Sequence, residues 1–318
     1  MAAFILVTAF AAALPVAGQA VPNQVLALYP ERTGELIFVD LQGLRASRHY
    51  QQLKAQVLPA QFRGLEQWIT ALGMDFDRQV RQVSWAFIPA AQGEDIELAG
   101  VAEGTLPVQE VEARARQMKL AVSNSGGTLI VSLGRSEQGD EFVFAFLDSA
   151  TAVFGWRSVA EEVLTRRNQG GQSVLNNAAI QSVVQELNGR APMWVALDKR
   201  FTGLALKQLL PGASQVPGFD NVAAGMQGAW LRFELRDGLK GFAALRCKDS
   251  SDALLFSTAA QAGIAYQALS LNSQNPDLSR ALQQMRVDRQ NEQLNIEWNV
   301  AEPELVALLA KNSFTLNF

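Results

Sequence analysis

"GELIFVDLQGLRASRHYQQL", residues 34–53, holds the pattern on which the fold turns. The apolar run Leu36 to Val39 reads as a strand, it ends in Asp40, and leucines at helical spacing follow at once. The same order returns in "APMWVALDKRFTGLALKQLL", residues 191–210, where Asp198 closes the apolar run. A carboxylate at such a junction accepts hydrogen bonds from the first free helix N–H groups and complements the helix dipole. Capping therefore accounts for both aspartates without a substrate. The residues that follow differ, Leu41-Gln42 in one case and Lys199-Arg200 in the other, and a ligand or metal role is the alternative.

Outward from the first junction, Leu41 to about Met74 reads as helical with a break at Pro59, and Phe62, Leu65, Ile69 and Leu72 share a face. "VRQVSWAFI" and "DIELAGVAE" read as strands, with Val83, Trp85 and Phe87 on one side of the first. Thr105 and Pro107 open a helix carrying Val108, Val111, Ala115 and Met118 as a stripe. "GTLIVSLGR", "EFVFAFLD" and "TAVFGW" are three further strands. Ser158 and Glu161 have the spacing of a capping box, and "NNAAIQSVVQELNG" is a helix. After Asp198 the order repeats: a helix, two strands about the Asp237-Gly238 hairpin, a long and a short helix, two strands and a last helix.

The spacing predicts a duplicated β-α-β-β-α-β-β-α unit. The expected organisation is a signal peptide over 1–20, a first α+β module over 21–188 and a second over 189–318. The fold class is α+β, two related modules of mostly antiparallel sheet with helices chiefly on one face.

A chain of 318 residues with 48% hydrophobic and 18% charged residues buries a substantial core. The net charge of −4 and the lack of a basic cluster argue against nucleic acid as a partner. The first twenty residues, "MAAFILVTAFAAALPVAGQA", carry no charge. They read as a leader with a small-residue site at Gly18-Gln19-Ala20, which predicts cleavage before Val21 and a periplasmic or secreted protein. "ALLFSTAAQAGIAYQALSL", residues 253–271, is also uncharged. Its hydroxyls, glutamines and small residues suit a helix packed on a sheet, so no stable membrane span is expected once the leader is removed.

The candidates for chemistry are sparse. Cys247 is the single cysteine, placed on a strand face with Ala243 and Leu245, and reads as a small core residue. His49 is the single histidine and reads as part of a polar helix surface, with no nucleophile turn to accompany it. No catalytic residue, cofactor or metal ligand set is assigned. Trp230 is the most suggestive residue: in "AWLRFELRDG" alternation places it with Arg232, Glu234 and Arg236, away from Leu231, Phe233 and Leu235. An aromatic beside arginines on an open sheet face is a candidate contact for a protein, peptide or glycan partner. The alternative is a tryptophan covered by a helix.

The phrase "P-x-x-T-G-x-x-x-x-x-D-L-x-x-L-R-x-S", Pro30 to Ser47, and the later "FAFLDSATAVFGWRSVAEEVL" resemble exported bacterial proteins of uncharacterised function built from duplicated α+β modules. The resemblance implies export and a non-catalytic role and brings no site residues with it. The expected function is a non-enzymatic envelope or secreted protein that binds a partner or ligand. A carboxylate-dependent hydrolase and an anchored structural protein that retains its leader are the rivals. Converging carboxylates in a cleft favour the hydrolase, and a hydrophobic groove favours binding.

Overall fold

The computed structural model describes residues 18–57, 60–90, 95–135, 139–209 and 224–314. Twelve strands form one sheet in which every neighbouring pair is antiparallel. The strands are β1 (Glu35–Asp40), β2 (Val80–Pro89), β3 (Ile96–Gly104), β4 (Val122–Ser125), β5 (Thr128–Arg135), β6 (Glu141–Phe146) and β7 (Thr151–Trp156), then β8 (Met193–Asp198), β9 (Met226–Leu235), β10 (Gly238–Cys247), β11 (Arg286–Gln290) and β12 (Gln293–Ala301). The helices are α1 (Asn23–Leu26), α2 (Leu41–Arg45), α3 (Tyr50–Val57), α4 (Ala60–Ala71), α5 (Phe76–Gln79), α6 (Val108–Gln117), α7 (Arg157–Gln169) and α8 (Ala178–Leu187), then α9 (Lys199–Leu209), α10 (Ser250–Leu271), α11 (Pro276–Gln283) and α12 (Glu302–Ala310). The α+β class and the antiparallel sheet are those the alternation pattern predicts.

The sheet order is β11-β12-β10-β9-β8-β1-β2-β3-β7-β6-β5-β4. The two halves of the chain meet where β1 pairs with β8, which sets Glu35 against Leu197 and Phe38 against Trp194. The two apolar runs that end in Asp40 and Asp198 are therefore neighbours. Reading outward gives β1-β2-β3-β7-β6-β5-β4 on one side and β8-β9-β10-β12-β11 on the other, so the two expected modules share one continuous sheet and the first carries two further strands at its edge.

Strand alternation divides the core between two faces. Leu36 and Phe38 of β1 point into one cluster with α1, α7, α8, Trp194 and Trp230. Ile37 and Val39 point into the other, under α2 to α6, α11 and α12. A satellite of Met226, Cys247 and Leu294 continues the second face beneath Phe256 of α10. Helices thus lie mainly on one face, with α1, α7 and α8 on the other.

Local chemistry explains several departures from the expected elements. The helical stretch after Asp40 breaks at residues 46–49, and the expected break at Pro59 lies outside the described residues. The Ser47 hydroxyl accepts from the His49 backbone N–H, a local bond that competes with helix continuation. Strand β4, too polar and short to stand out in the sequence, is held by pairing Val122 with Val131. The Ser158–Glu161 capping box does not form. Trp156 occupies the cap position of α7 without a side-chain bond, and the Ser158 hydroxyl donates instead to Glu97 at 2.6 Å. Met118 leaves the α6 stripe and is exposed, whereas Val111 and Ala115 are buried. The expected turn "PAAQGE" and the loop "PGASQVPGFD" fall largely or wholly outside the described residues, as does the side chain of Phe62.

Candidate functional site

The two aspartates are caps. Asp40 accepts the Gly43 N–H at 2.9 Å and Asp198 accepts the Phe201 N–H at 2.8 Å, the same position of each following helix. Asp40 is buried and also accepts the Gln19 N–H at 3.0 Å, tying the N-terminal segment to the junction. The side chains next to the caps differ. At Gly43 a Cβ would meet the Asp40 carboxylate at 2.6 Å, so glycine leaves room for the cap, whereas in the second copy Phe201 lays its ring over Gly34.

Trp230 corrects an expectation. Its ring is only 5% exposed and stacks on Phe242 with centroids 4.8 Å apart. Alternation does place it on the side of Arg232 and Glu234, but α8 crosses β8 and β9 on that side and draws it into the core. Arg232 lies over the far end of this stack, 5.0 Å from the Phe242 centroid. Arg232 and Glu234 are half-buried, and Arg236 is exposed at the hairpin beside Asp237. The four residues share a face without forming an exposed aromatic anchor.

His49 is a second correction. It is buried in the turn between α2 and α3, and its Nε2 lies 2.9 Å from Glu302 at the start of α12, a carboxylate that Arg48 also engages. This contact joins two segments far apart in the sequence, which a single-helix reading cannot foresee. Cys247 behaves as expected: it is buried, and burial, followed by Asp252 and Asp249, pushes its thiol up to about 11. A thiol held neutral in this way is a poor nucleophile. Among the described residues no group of three or more His, Cys, Asp or Glu could hold a metal ion.

The feature with the character of a site is a cavity of about 330 Å³ between the sheet and the short helices α2 to α5. Its floor comes from β1, β2, β3, β6 and β7, with Met193 of β8, Phe233 and Leu235 of β9 and Leu239 of β10 at the side. Trp85, Phe87, Phe144, Phe146, Phe154 and Phe233 supply rings to it. Gly100 lies opposite Phe154 in the β3–β7 pairing, and a Cβ there would stand 2.1 Å from the Phe154 ring. The absence of a side chain at Gly100 is what lets this ring lie flat on the sheet.

Among the described residues that line the cavity, Lys54 and Glu66 are the only charged ones. The Lys54 ammonium is 2.5 Å from Glu66 of α4 and 3.0 Å from Asp77 of α5, and Arg45 of α2 reaches Asp77 at 3.9 Å. It also lies 5.9 Å from the Tyr50 centroid and 5.2 Å from that of Phe76. Burial works against the charge on Lys54, but its bonds to Glu66 and Asp77 outweigh burial and raise its pKa. Burial likewise opposes the Asp77 charge, and the donors Lys54 and Gln51 overcome it and lower that pKa. The cluster is a charged rim on an otherwise apolar space. Nothing in the spacing of Arg45, Lys54, Glu66 and Asp77 marks it in the sequence, because the residues converge only after three turns have brought four helices together.

On the same face of β1, Glu35 sits between Phe87 and Leu197. Burial raises its carboxyl to about 7. No helix among the described residues is long and apolar enough to cross a membrane. The uncharged segment 253–271 forms most of α10, which packs on β10, β11 and β12 and leaves Leu254, Leu255, Tyr266 and Leu269 exposed.

Comparison with protein-family models and with curated proteins found no match. Among solved structures, crystal form I of TP0453 is similar to this chain with a TM-score of 0.50 and 10% sequence identity, over 94% of this chain and 100% of that one. At that identity the likeness is one of fold alone.

Proposed function

We propose that the protein is an exported, non-enzymatic binding protein of the bacterial envelope or its surroundings, and that it holds an apolar small molecule in the cavity beneath α2 to α5. The carrying observation is the cavity itself: about 330 Å³, walled by aliphatic and aromatic side chains and charged only at Lys54 and Glu66. Binding pockets for small molecules have this size and this balance of apolar wall to few polar groups. Apolar surface in such a space gains about 0.8 kcal/mol for each methylene it removes from water. A hydrolase working through carboxylates needs two of them converging on a substrate, and an apolar wall favours binding instead.

The uncharged leader supports export, with cleavage before Val21. Asn188 bonds both the N–H and the carbonyl of Val21, at 2.7 and 2.9 Å, so the new amino terminus would lie against the C-terminal end of α8. The order β1-β2-β3-β7-β6, matched by β8-β9-β10-β12-β11 across the β1–β8 pairing, supports an origin by internal duplication, with β5 and β4 added at the edge of the first half. N-terminal sequencing of native protein tests the first point, with Val21 as the expected start and an intact leader as the result against it.

The cavity is tested with 1-N-phenylnaphthylamine, a dye that brightens in apolar surroundings. The protein should bind it with saturation, and Ala102→Phe, which fills the cavity from β3, should weaken binding at least about ten-fold while circular dichroism is retained. Absence of saturable binding, or equal binding by the filled variant, overturns the proposal.

A further inference from the structure

The rim of the cavity carries information about the polar end of its ligand. Lys54 is its buried cation: the side chain is 15% exposed, against 27% for Glu66 and 36% for Asp77. Asp77 is fixed in place by three groups from α2 and α3, namely Arg45 at 3.9 Å, Gln51 at 3.3 Å and Lys54 at 3.0 Å. Glu66 comes from α4, and its side chain is more exposed than that of Lys54. The Lys54 ammonium lies beside the rings of Tyr50 and Phe76. The position next to the ammonium is filled by the Glu66 carboxylate, the more exposed of the two charged groups that line the cavity.

We propose that the ligand is a single-chain amphiphile with an anionic head, and that its head binds Lys54 in the place Glu66 holds. This rests on the reading of the cavity as a binding site. When the ligand enters, one carboxylate replaces another at the ammonium, so the buried charge keeps a partner throughout, and Asp77 keeps the lysine paired. The tail extends over the aromatic floor. At about 330 Å³ the cavity lies at the small end of ligand pockets, roughly 300–1,000 Å³, which suits one chain better than two. A carboxylate and a phosphate monoester share the chemistry required of the head.

The test displaces bound 1-N-phenylnaphthylamine with four twelve-carbon ligands: laurate, dodecyl phosphate, dodecanol and dodecyltrimethylammonium. The two anions should displace the dye at concentrations about ten-fold or more below dodecanol, the value of one charge-assisted hydrogen bond. Equal potency of the anions assigns the site to any anionic head, and a lead for laurate assigns it to carboxylates. Lys54→Met should collapse the ratio between laurate and dodecanol, and Lys54→Arg should preserve it. Glu66→Gln, which removes the competing carboxylate, should widen that ratio and serves as the test if Lys54→Met fails to fold. Equal displacement by all four ligands, preference for the cation, or an unchanged ratio in Glu66→Gln overturns the head-group assignment while leaving the cavity reading intact. Failure of the wild-type protein to bind the dye at all overturns the cavity reading instead.

Discussion

The two faces of the sheet are built from the same strands and end differently: one is solid and the other is hollow. On the solid face Ala86, Ala99, Ala145, Ala196 and Ala244 are all buried, and short side chains let a helix settle close to the sheet. There α8 presses down an unbroken stripe of Ile180, Val183, Val184 and Leu187, every one of them buried. On the hollow face the strands raise Trp85, Phe87, Phe144, Phe146, Phe154 and Phe233. The cover over these rings is the chain of short helices α2 to α5, which spans the space without filling it. Close-fitting helices over small residues make a core; helices that bridge tall residues leave a cavity.

The largest effect that sharpens this comparison lies within one strand. Trp230 and Phe233 of β9 face opposite sides, Trp230 into the solid cluster and Phe233 into the cavity wall. Trp230→Ala should cost about 3–5 kcal/mol, as for a fully packed ring. Phe233→Ala should cost about 1–2 kcal/mol, because part of its surface already meets empty space. Equal losses in denaturant unfolding would mean that the two faces are packed alike.

Next in size is a dependence on pH confined to the hollow face. Glu35 ordinarily titrates at 4.5 and is raised to about 7 in the fold by burial. The folded state therefore holds this proton more tightly than the unfolded state, so the group lowers stability as pH rises from about 4.5 to about 7, and the loss levels off above that. The full span is at most roughly 3 kcal/mol. Glu35→Gln should flatten stability over this range and make the variant the more stable protein at pH 8. A wild-type stability that rises between pH 5 and 7, and does so no differently in Glu35→Gln, would refute the assignment.

A glycine probes how the rings lie. Gly100→Ala pushes a Cβ into the Phe154 ring on the cavity floor and should cost about 1–3 kcal/mol of strain. It should also alter dye binding, since Phe154 lines the cavity. The smallest effects belong to the paired junctions. Asp40→Ala and Asp198→Ala should each cost about 1 kcal/mol, with Asn replacements nearly neutral. In the chain that keeps residue 19, a larger loss at Asp40 than at Asp198 would measure the additional bond from Gln19, and in protein starting at Val21 the two losses should be alike.

Much of this architecture is written locally. Alternation in "LIFVD" and "EFVFAFLD", the Asp237-Gly238 turn and the aspartates before α2 and α9 each act within a few residues, where backbone geometry leaves few choices. The long α10 and the two prolines that open α11 and α12 are legible for the same reason. Trp230 marks the limit. Its side of β9 follows from a period of two, but whether that side meets water depends on α8, which ends about forty residues earlier and has no pattern in common with β9. His49 was misplaced for a like reason, since its partner Glu302 lies at the other end of the chain.

The sequence by itself determined the strands, most of the helices, the capped junctions and the antiparallel α+β class, because those depend on dihedral preference, side-chain period and bonds to adjacent backbone. Only the tertiary structure decided that β1 and β8 pair to make one sheet, that Lys54, Glu66 and Asp77 meet, and that a cavity lies under them. Pairing, convergence and empty volume are properties of distances between remote segments. A void in particular has no residue of its own, and exists only where the side chains of several elements fail to reach one another.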